Sequence, residues 1–226
     1  MRYGIIAEGH SDIAVIKSIM KALKGIDGNE IISIRPEEQY DESDLNEMKF
    51  SNWNLVLSSC ADEQLLNAFF NGIEDDAFLI VQIDAAERSE AGYDLPYPIR
   101  SRDIDWKLYA IEVREKIKEK IRELIPEAYQ DRIAYAITIE ETDAWLIPLF
   151  NISSQETAQY ASPKEKLQCI IGSLSKKEKL RYINTQKKRL DYTQLVKQMK
   201  KKLNICRSRN VSLDLFCLDL DNIQNT

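Results

Sequence analysis

The stretch Phe78-Leu-Ile-Val-Gln-Ile83 most restricts the folds open to this chain. A nearly continuous apolar run of this length does not alternate, so it cannot be a strand with one wet face. It reads as a central parallel strand covered by helices on both sides. Other runs fit round it: Tyr3–Ala7, Ile31–Ile34, Trp53–Leu57 and Ala134–Ile139 are predicted as strands. Helical spacing separates them. Strands alternating with helices predict an α/β fold with a central, mostly parallel sheet flanked by helices.

The first helix is set by Ile13, Ile16, Ile19, Met20 and Leu23, with Ser11 as predicted N-cap and Gly25 as stop. Asp12 suits the positive end of its dipole. Gly9 permits a sharp turn or close approach to a phosphate. Leu65–Phe70 predicts a short helix ending at Gly72, and Leu108–Leu124 a long amphipathic one ending at Pro126. Residues 37–49 are acidic and aperiodic, a predicted surface loop. Residues 88–105 form a second long loop over the carboxyl edge of the sheet. A helix is expected over Ala144–Phe150. Beyond residue 150 the pattern becomes helical. Ser162-Pro163-Lys-Glu165 has the form of a capping box that opens a helix to Leu174. Further helices are expected over Tyr192–Leu203 and Val211–Leu220. The reading is an α/β domain over 1–150 and a basic helical subdomain over 151–226, packed on the sheet or covering its acidic edge.

No run of 18 apolar residues is present, so no membrane span is expected. The sequence enters a strand at once, with no signal-peptide pattern. Cys60, Cys169, Cys206 and Cys217 are scattered without a CxxC pair, and His10 is the only histidine. That argues against a zinc site and for reduced thiols in a cytoplasmic protein.

The charge is uneven. Residues 1–150 carry 30 acidic and 16 basic side chains, whereas 151–226 carry 7 and 15. Such asymmetry suits a protein that gathers cations at one place and phosphates at another. Lys176, Lys177, Lys187, Lys188, Arg189, Lys200, Lys201 and Arg207 are candidate contacts to a nucleic-acid backbone, in a salt-sensitive and poorly sequence-specific mode. The alternative is a solvated lysine-rich helix. Aromatic residues are sparse in this segment, which argues against dedicated single-strand stacking there.

Three predicted strand ends carry acids: Glu8; Asp84 with Glu87; and Glu140, Glu141 and Asp143. Side chains at the carboxyl ends of neighbouring parallel strands converge. Crowded carboxylates raise one another's pKa unless a cation lies between them. Mg²⁺ or Mn²⁺ is the expected cofactor, because hard divalent ions take carboxylate oxygens and leave positions for water and phosphate. Glu8, Asp84, Glu87, Asp12, Glu140 and Asp143 are the candidate ligands, with Glu8 and Asp84 the candidate catalytic pair. Each acid taken singly also fits a helix cap or a solvated position. His10 reads as a turn residue or a phosphate contact, and Trp145 as core or a stacking platform.

The ordered set of motifs resembles the TOPRIM domain shared by bacterial primases, topoisomerases, small ribosomal-RNA maturation nucleases and overcoming-lysogenisation-defect nucleases. Glu8-Gly9-x-Ser11-Asp12 after an apolar strand is similar to its first motif, and Asp84 to the first acid of its Asp-x-Asp motif. Ala86 stands where the second aspartate is expected. The block Ile139–Leu146 resembles the acid-x-Trp segment of small bacterial TOPRIM-type proteins. The resemblance covers about residues 1–150. It implies a TOPRIM-like, Rossmannoid fold and a Mg²⁺-dependent phosphodiester-cleaving nuclease acting on DNA or RNA. Glu8 would then be general acid/base or ligand and Asp84 a ligand. A role in phage defence or repair beside an ATPase partner is implied in the same way, as is assembly into a homo-oligomer or complex. The alternative is a non-catalytic module that recruits nucleic acid or a partner protein. No Walker-type glycine-rich loop is present, against an ATPase. A primase or topoisomerase would need accessory or tyrosine domains for which the chain has no room.

Overall fold

The computed structural model describes residues 1–26, 28–37, 52–72, 76–101, 103–150, 155–184 and 189–223, with the side chains of Asn184 and Arg189 set aside. The elements run β1 (Arg2–Ile6), α1 (His10–Lys24), β2 (Ile31–Arg35), α2 (Trp53–Ala61), α3 (Glu63–Phe70), β3 (Ala77–Asp84) and α4 (Trp106–Leu124). They continue as α5 (Glu127–Gln130), β4 (Ile133–Thr138), α6 (Asp143–Leu146), α7 (Pro163–Ser173), α8 (Lys176–Lys179), β5 (Ile183–Asn184), β6 (Arg189–Leu190), α9 (Tyr192–Ser208) and α10 (Val211–Asn222). Four strands form one sheet in the order β2-β1-β3-β4, and every pairing is parallel. β5 and β6 form a separate antiparallel pair.

The fold is therefore α/β, in three layers. Tyr3, Ile5, Phe78, Ile80, Ala134 and Ala136 face a core shared with α1, α7, α9 and α10. Ile6, Leu79, Val81, Ile83, Tyr135 and Ile137 face a second core shared with α2, α3 and α4. β3 is buried along its length, as its unbroken apolar run requires. The chain leaves β1 toward β2 on one side and leaves β3 toward β4 on the other. The sheet order therefore reverses between β1 and β3, which in this architecture opens a crevice at their carboxyl ends. Gly4 on β1 is needed for close approach, since a Cβ there would lie 2.5 Å from Ile34 Cδ1 and 2.7 Å from the Phe69 ring.

The segment after residue 150 packs into these cores. α9 lies along α1, and α10 lies along β4 and α4. Asp219 of α10 accepts the outward N–H of Tyr135 on edge strand β4 (3.2 Å) and pairs with the buried Arg114 of α4 (2.6 Å). Among the described residues no helix is long and apolar enough to cross a membrane.

Several local expectations need correction. Trp53–Leu57 is helical, not a strand. Asn52 caps α2 by accepting the Leu55 N–H (3.1 Å), and Val56, Leu57 and Cys60 are buried at helical spacing. Asp62 ends α2 and caps α3 in the same way, through Leu65 N–H. α1 begins one residue before Ser11, with extended Gly9 as its N-cap and no side-chain cap. Gly25 at its other end is left-handed, as expected (φ 72°). Ser162 makes no side-chain cap on α7; Glu141 takes that place, accepting the Lys164 N–H (3.0 Å). The helix expected over 144–150 is one α-helical turn followed by a 3-10 turn, Ile147–Phe150. Most of the 37–49 loop lies outside the described residues.

Candidate active site

β1 and β3 are hydrogen-bonded neighbours, so their carboxyl ends place Glu8 and Asp84 side by side. The Asp84 N–H donates to Glu8 Oε1 (2.7 Å). Gln82, fully buried two residues before Asp84, joins the parts: its Oε1 accepts the Glu8 N–H (2.9 Å), and its Nε2 donates to Asp84 Oδ1 (2.8 Å) and Thr142 Oγ1 (3.3 Å). Thr138, in register with Asp84 on β4, donates to the same Oδ1. Thr142 Oγ1 is 3.4 Å from it. Asp84 Oδ1 is thus saturated, while Oδ2 accepts no hydrogen bond from the described residues.

Asp12, in the first turn of α1, closes the group. Its carboxylate lies against Gly9, where a Cβ would come within 3.0 Å of Oδ2. Thr142 hydrogen-bonds it, and its own N–H faces it. Gly9 therefore lets the Asp12 carboxylate lie close against an ordinary extended backbone.

The electrostatics are those of acids held together away from water. Burial pushes the Glu8 carboxyl up to about 8, and Glu87 and Asp12 add repulsion. Burial, then Asp12 and Glu8, hold the Asp84 carboxyl well above its usual range. Asp12 is pushed up to about 6, chiefly by burial, with Lys164 opposing. Asp143 is also pushed up to about 6 by burial, and the Tyr192 hydroxyl restrains the rise by donating to Oδ1 (2.9 Å) and Oδ2 (3.2 Å). Glu87, on the loop after β3, is raised by burial and by Glu90, Glu141 and Glu140.

Glu140 does not join this group. Its backbone is left-handed (φ 66°), and its side chain turns to Arg100, Arg88 and Tyr109. Arg100 Nη2 lies 2.8 Å from Glu140 Oε1, Arg88 Nη1 lies 3.8 Å from it, and the Tyr109 hydroxyl donates at 3.4 Å. Arg100 also donates to the carbonyls of Ala158 and Gln159 and lies over the Trp106 ring. The network fastens the 85–100 loop, and Glu140 works as its anchor. Glu141 instead faces Asp12, Asp84 and Asp143, each of which it raises.

Lys176, Lys177, Lys200 and Lys201 are exposed on α8 and α9. Arg207 is ion-paired with Asp214 (2.7 Å). Lys187 and Lys188 lie outside the described residues, as does the Arg189 side chain. His10 is exposed at the start of α1. Trp145 is a core residue, stacked on Phe216, with Nε1 donating to Ser212 Oγ (2.9 Å). Gln82, Thr138, Thr142, Tyr93, Lys164 and Tyr192 were not singled out by the sequence. Gln82 alone carried a signal, as the one polar residue inside the apolar run.

Compared with known proteins, the chain matches no family model, no curated protein and no solved structure.

Proposed function

We propose that this chain is a Mg²⁺- or Mn²⁺-dependent phosphodiester-cleaving nuclease of TOPRIM type, acting on DNA or RNA. The observation that carries the reading is the Glu8–Asp84 pair at the point where the sheet order reverses, with Asp12 alongside and all three carboxyls raised. Such a group is costly without a cation between its members.

Among the described residues, no three His, Cys, Asp or Glu side chains are placed to hold a metal ion together. The donor chemistry nevertheless fits Mg²⁺, which commonly takes one or two carboxylates and completes its octahedron with water and phosphate. Glu8 and Asp84 would hold the ion, Asp84 through its open Oδ2. A bound divalent ion would polarise the phosphate as a Lewis acid and lower the pKa of a water bound to it. Gln82, Thr138 and Thr142 hold Asp84 Oδ1 and so orient its carboxylate. Glu8 Oε2, the oxygen that Asp84 N–H does not engage, is the atom at which a proton would be taken up or released. Ala86 stands where the TOPRIM motif would have a second aspartate, and Glu87, Glu141 or Asp143 would have to supply that ligand instead. Lys176, Lys177, Lys200 and Lys201 would contact the sugar-phosphate backbone. The division into a TOPRIM unit over 1–150 and a basic unit over 151–226 belongs to this proposal. So does a cytoplasmic setting beside an ATPase partner in phage defence or repair, which rests on resemblance alone.

One observation favours a second reading, a non-catalytic nucleic-acid or protein-binding module. The catalytic candidates are already hydrogen-bonded within the protein, with no third ligand in place among the described residues. Cleavage of labelled single- and double-stranded DNA and RNA in Mg²⁺ and Mn²⁺, with wild type, Glu8→Ala and Asp84→Ala, separates the two. Metal-dependent cutting lost by at least about 100-fold in both variants is expected. Cutting that persists in both removes this site from the reaction. Binding without cutting by any of the three proteins favours the module.

A further inference from the structure

Helix α2 starts beside the acids. The main-chain N–H of Trp53, its first residue, faces Glu8. The indole stacks on Tyr93 with ring centroids 5.3 Å apart and planes 27° from parallel. Its Nε1 donates to Glu90 Oε2 (3.2 Å). Tyr93 in turn is fully buried, and its hydroxyl donates to the Asp84 carbonyl (3.2 Å). Gly92 takes a left-handed backbone (φ 97°), and a Cβ there would come 3.3 Å from the indole. The loop after β3 is thus shaped to leave room for this ring.

Trp53 is held through its stacked face, its indole nitrogen and its main chain, yet the residue is only partly buried. Trp145 shows the contrast: a tryptophan used as core here is wholly enclosed. The surroundings of Trp53 are acidic, with Glu8 at its main chain, Glu90 at its nitrogen and Glu87 on the same loop. Without a cation, a phosphate lying against the ring itself is repelled. A flat, uncharged group with a π face is not, and stacking against an immobilised indole is favourable without any particular hydrogen-bond pattern.

We propose that Trp53 forms a stacking subsite for an unpaired nucleobase next to the scissile phosphate, so that the substrate is single-stranded or locally unpaired DNA or RNA. The assignment rests on the nuclease reading for what happens at the phosphate. A base inside a duplex has both faces covered by its neighbours and cannot enter.

The test is binding of fluorescein-labelled oligo-dT, oligo-U and a DNA duplex of equal length, by anisotropy, with Ca²⁺ in place of Mg²⁺. Wild type is compared with Trp53→Leu and Trp53→Phe. Loss of one base stack corresponds to roughly 10-fold weaker single-strand binding in Trp53→Leu. Trp53→Phe should recover most of it, and duplex binding through the lysines should stay within about twofold, by the same principle. Unchanged single-strand binding in Trp53→Leu overturns the subsite. Parallel loss of single-strand and duplex binding also overturns it, because the ring is then only part of the fold. Cleavage in Mg²⁺ by the same proteins keeps the two ideas apart. A Trp53 effect on binding with no cutting by any protein sinks the nuclease and leaves the subsite. Cutting whose KM for single strands is unmoved in Trp53→Leu sinks the subsite and leaves the nuclease.

Discussion

Replacing Glu8 with glutamine should stabilise the metal-free protein at pH 8. Glu8 rises from 4.5 to about 8, chiefly because burial disfavours its charged form. An acid whose pKa is higher folded than unfolded binds more protons in the folded state between the two values. Its contribution to stability is therefore fully present below about pH 4.5 and is lost as the pH climbs toward 8. At about 1.4 kcal/mol per pH unit, the full displacement corresponds to about 5 kcal/mol. Partial contact with water reduces this to about 2–3 kcal/mol. Glutamine keeps an oxygen for the Asp84 N–H and carries no charge. It also relieves Asp84, which Glu8 repels. In EDTA at pH 8, Glu8→Gln should melt about 4–10 °C higher than wild type, whereas near pH 4.5 the two should agree within about 2 °C. Mg²⁺ at pH 8 should then raise the wild-type Tm and leave the variant nearly unmoved. Calorimetry across that pH range decides the matter. A variant that melts lower than wild type at pH 8, or a gap that does not change with pH, would refute the reasoning and give Glu8 a structural role.

Four further outcomes are expected. Asp219→Ala strips one of two acidic partners from a guanidinium buried in α4, leaving Glu115, and orphans an edge-strand N–H, so denaturant titration should show a loss of about 2–3 kcal/mol. Tyr192→Phe removes a hydrogen bond that favours ionised Asp143. It should cost about 1–2 kcal/mol at pH 8 and much less at pH 4, where that carboxyl is protonated in both proteins. Lys200→Ala with Lys201→Ala should weaken oligonucleotide binding uniformly across sequences and lower the salt slope by about 1 for each lysine that contacts phosphate. Arg207→Ala, whose charge is already paired with Asp214, should leave the slope unchanged.

The sheet was legible because its strands are apolar on both faces, and β3 most clearly so. Glu8 and Asp84 were legible for the same reason: a buried run stops where a charge appears. Trp53–Leu57 was misread because five apolar residues look alike as strand or helix. The deciding signal was Asn52 one residue upstream, a cap rather than a hydrophobic pattern. Glu140 was misplaced because spacing says where a residue stands and not which way its backbone turns. A left-handed φ sends it to the arginines and leaves Glu141 with the acids. The parts of the site drawn from afar, Tyr192 and Lys164, follow from how α7 and α9 dock, and no local pattern encodes that.

The contact between Asp219 and Tyr135 also bears on assembly. With β4 closed off by α10, lateral growth of the sheet is confined to β2, where Ile32 stands exposed and no further strand pairs among the described residues. A sheet with two free margins can add copies without end. One with a single free margin can join another copy about a two-fold axis and then has nothing left to offer. The helix that seals β4 therefore limits any sheet-mediated association of this protein to a closed pair, and it denies a fibre its second point of attachment.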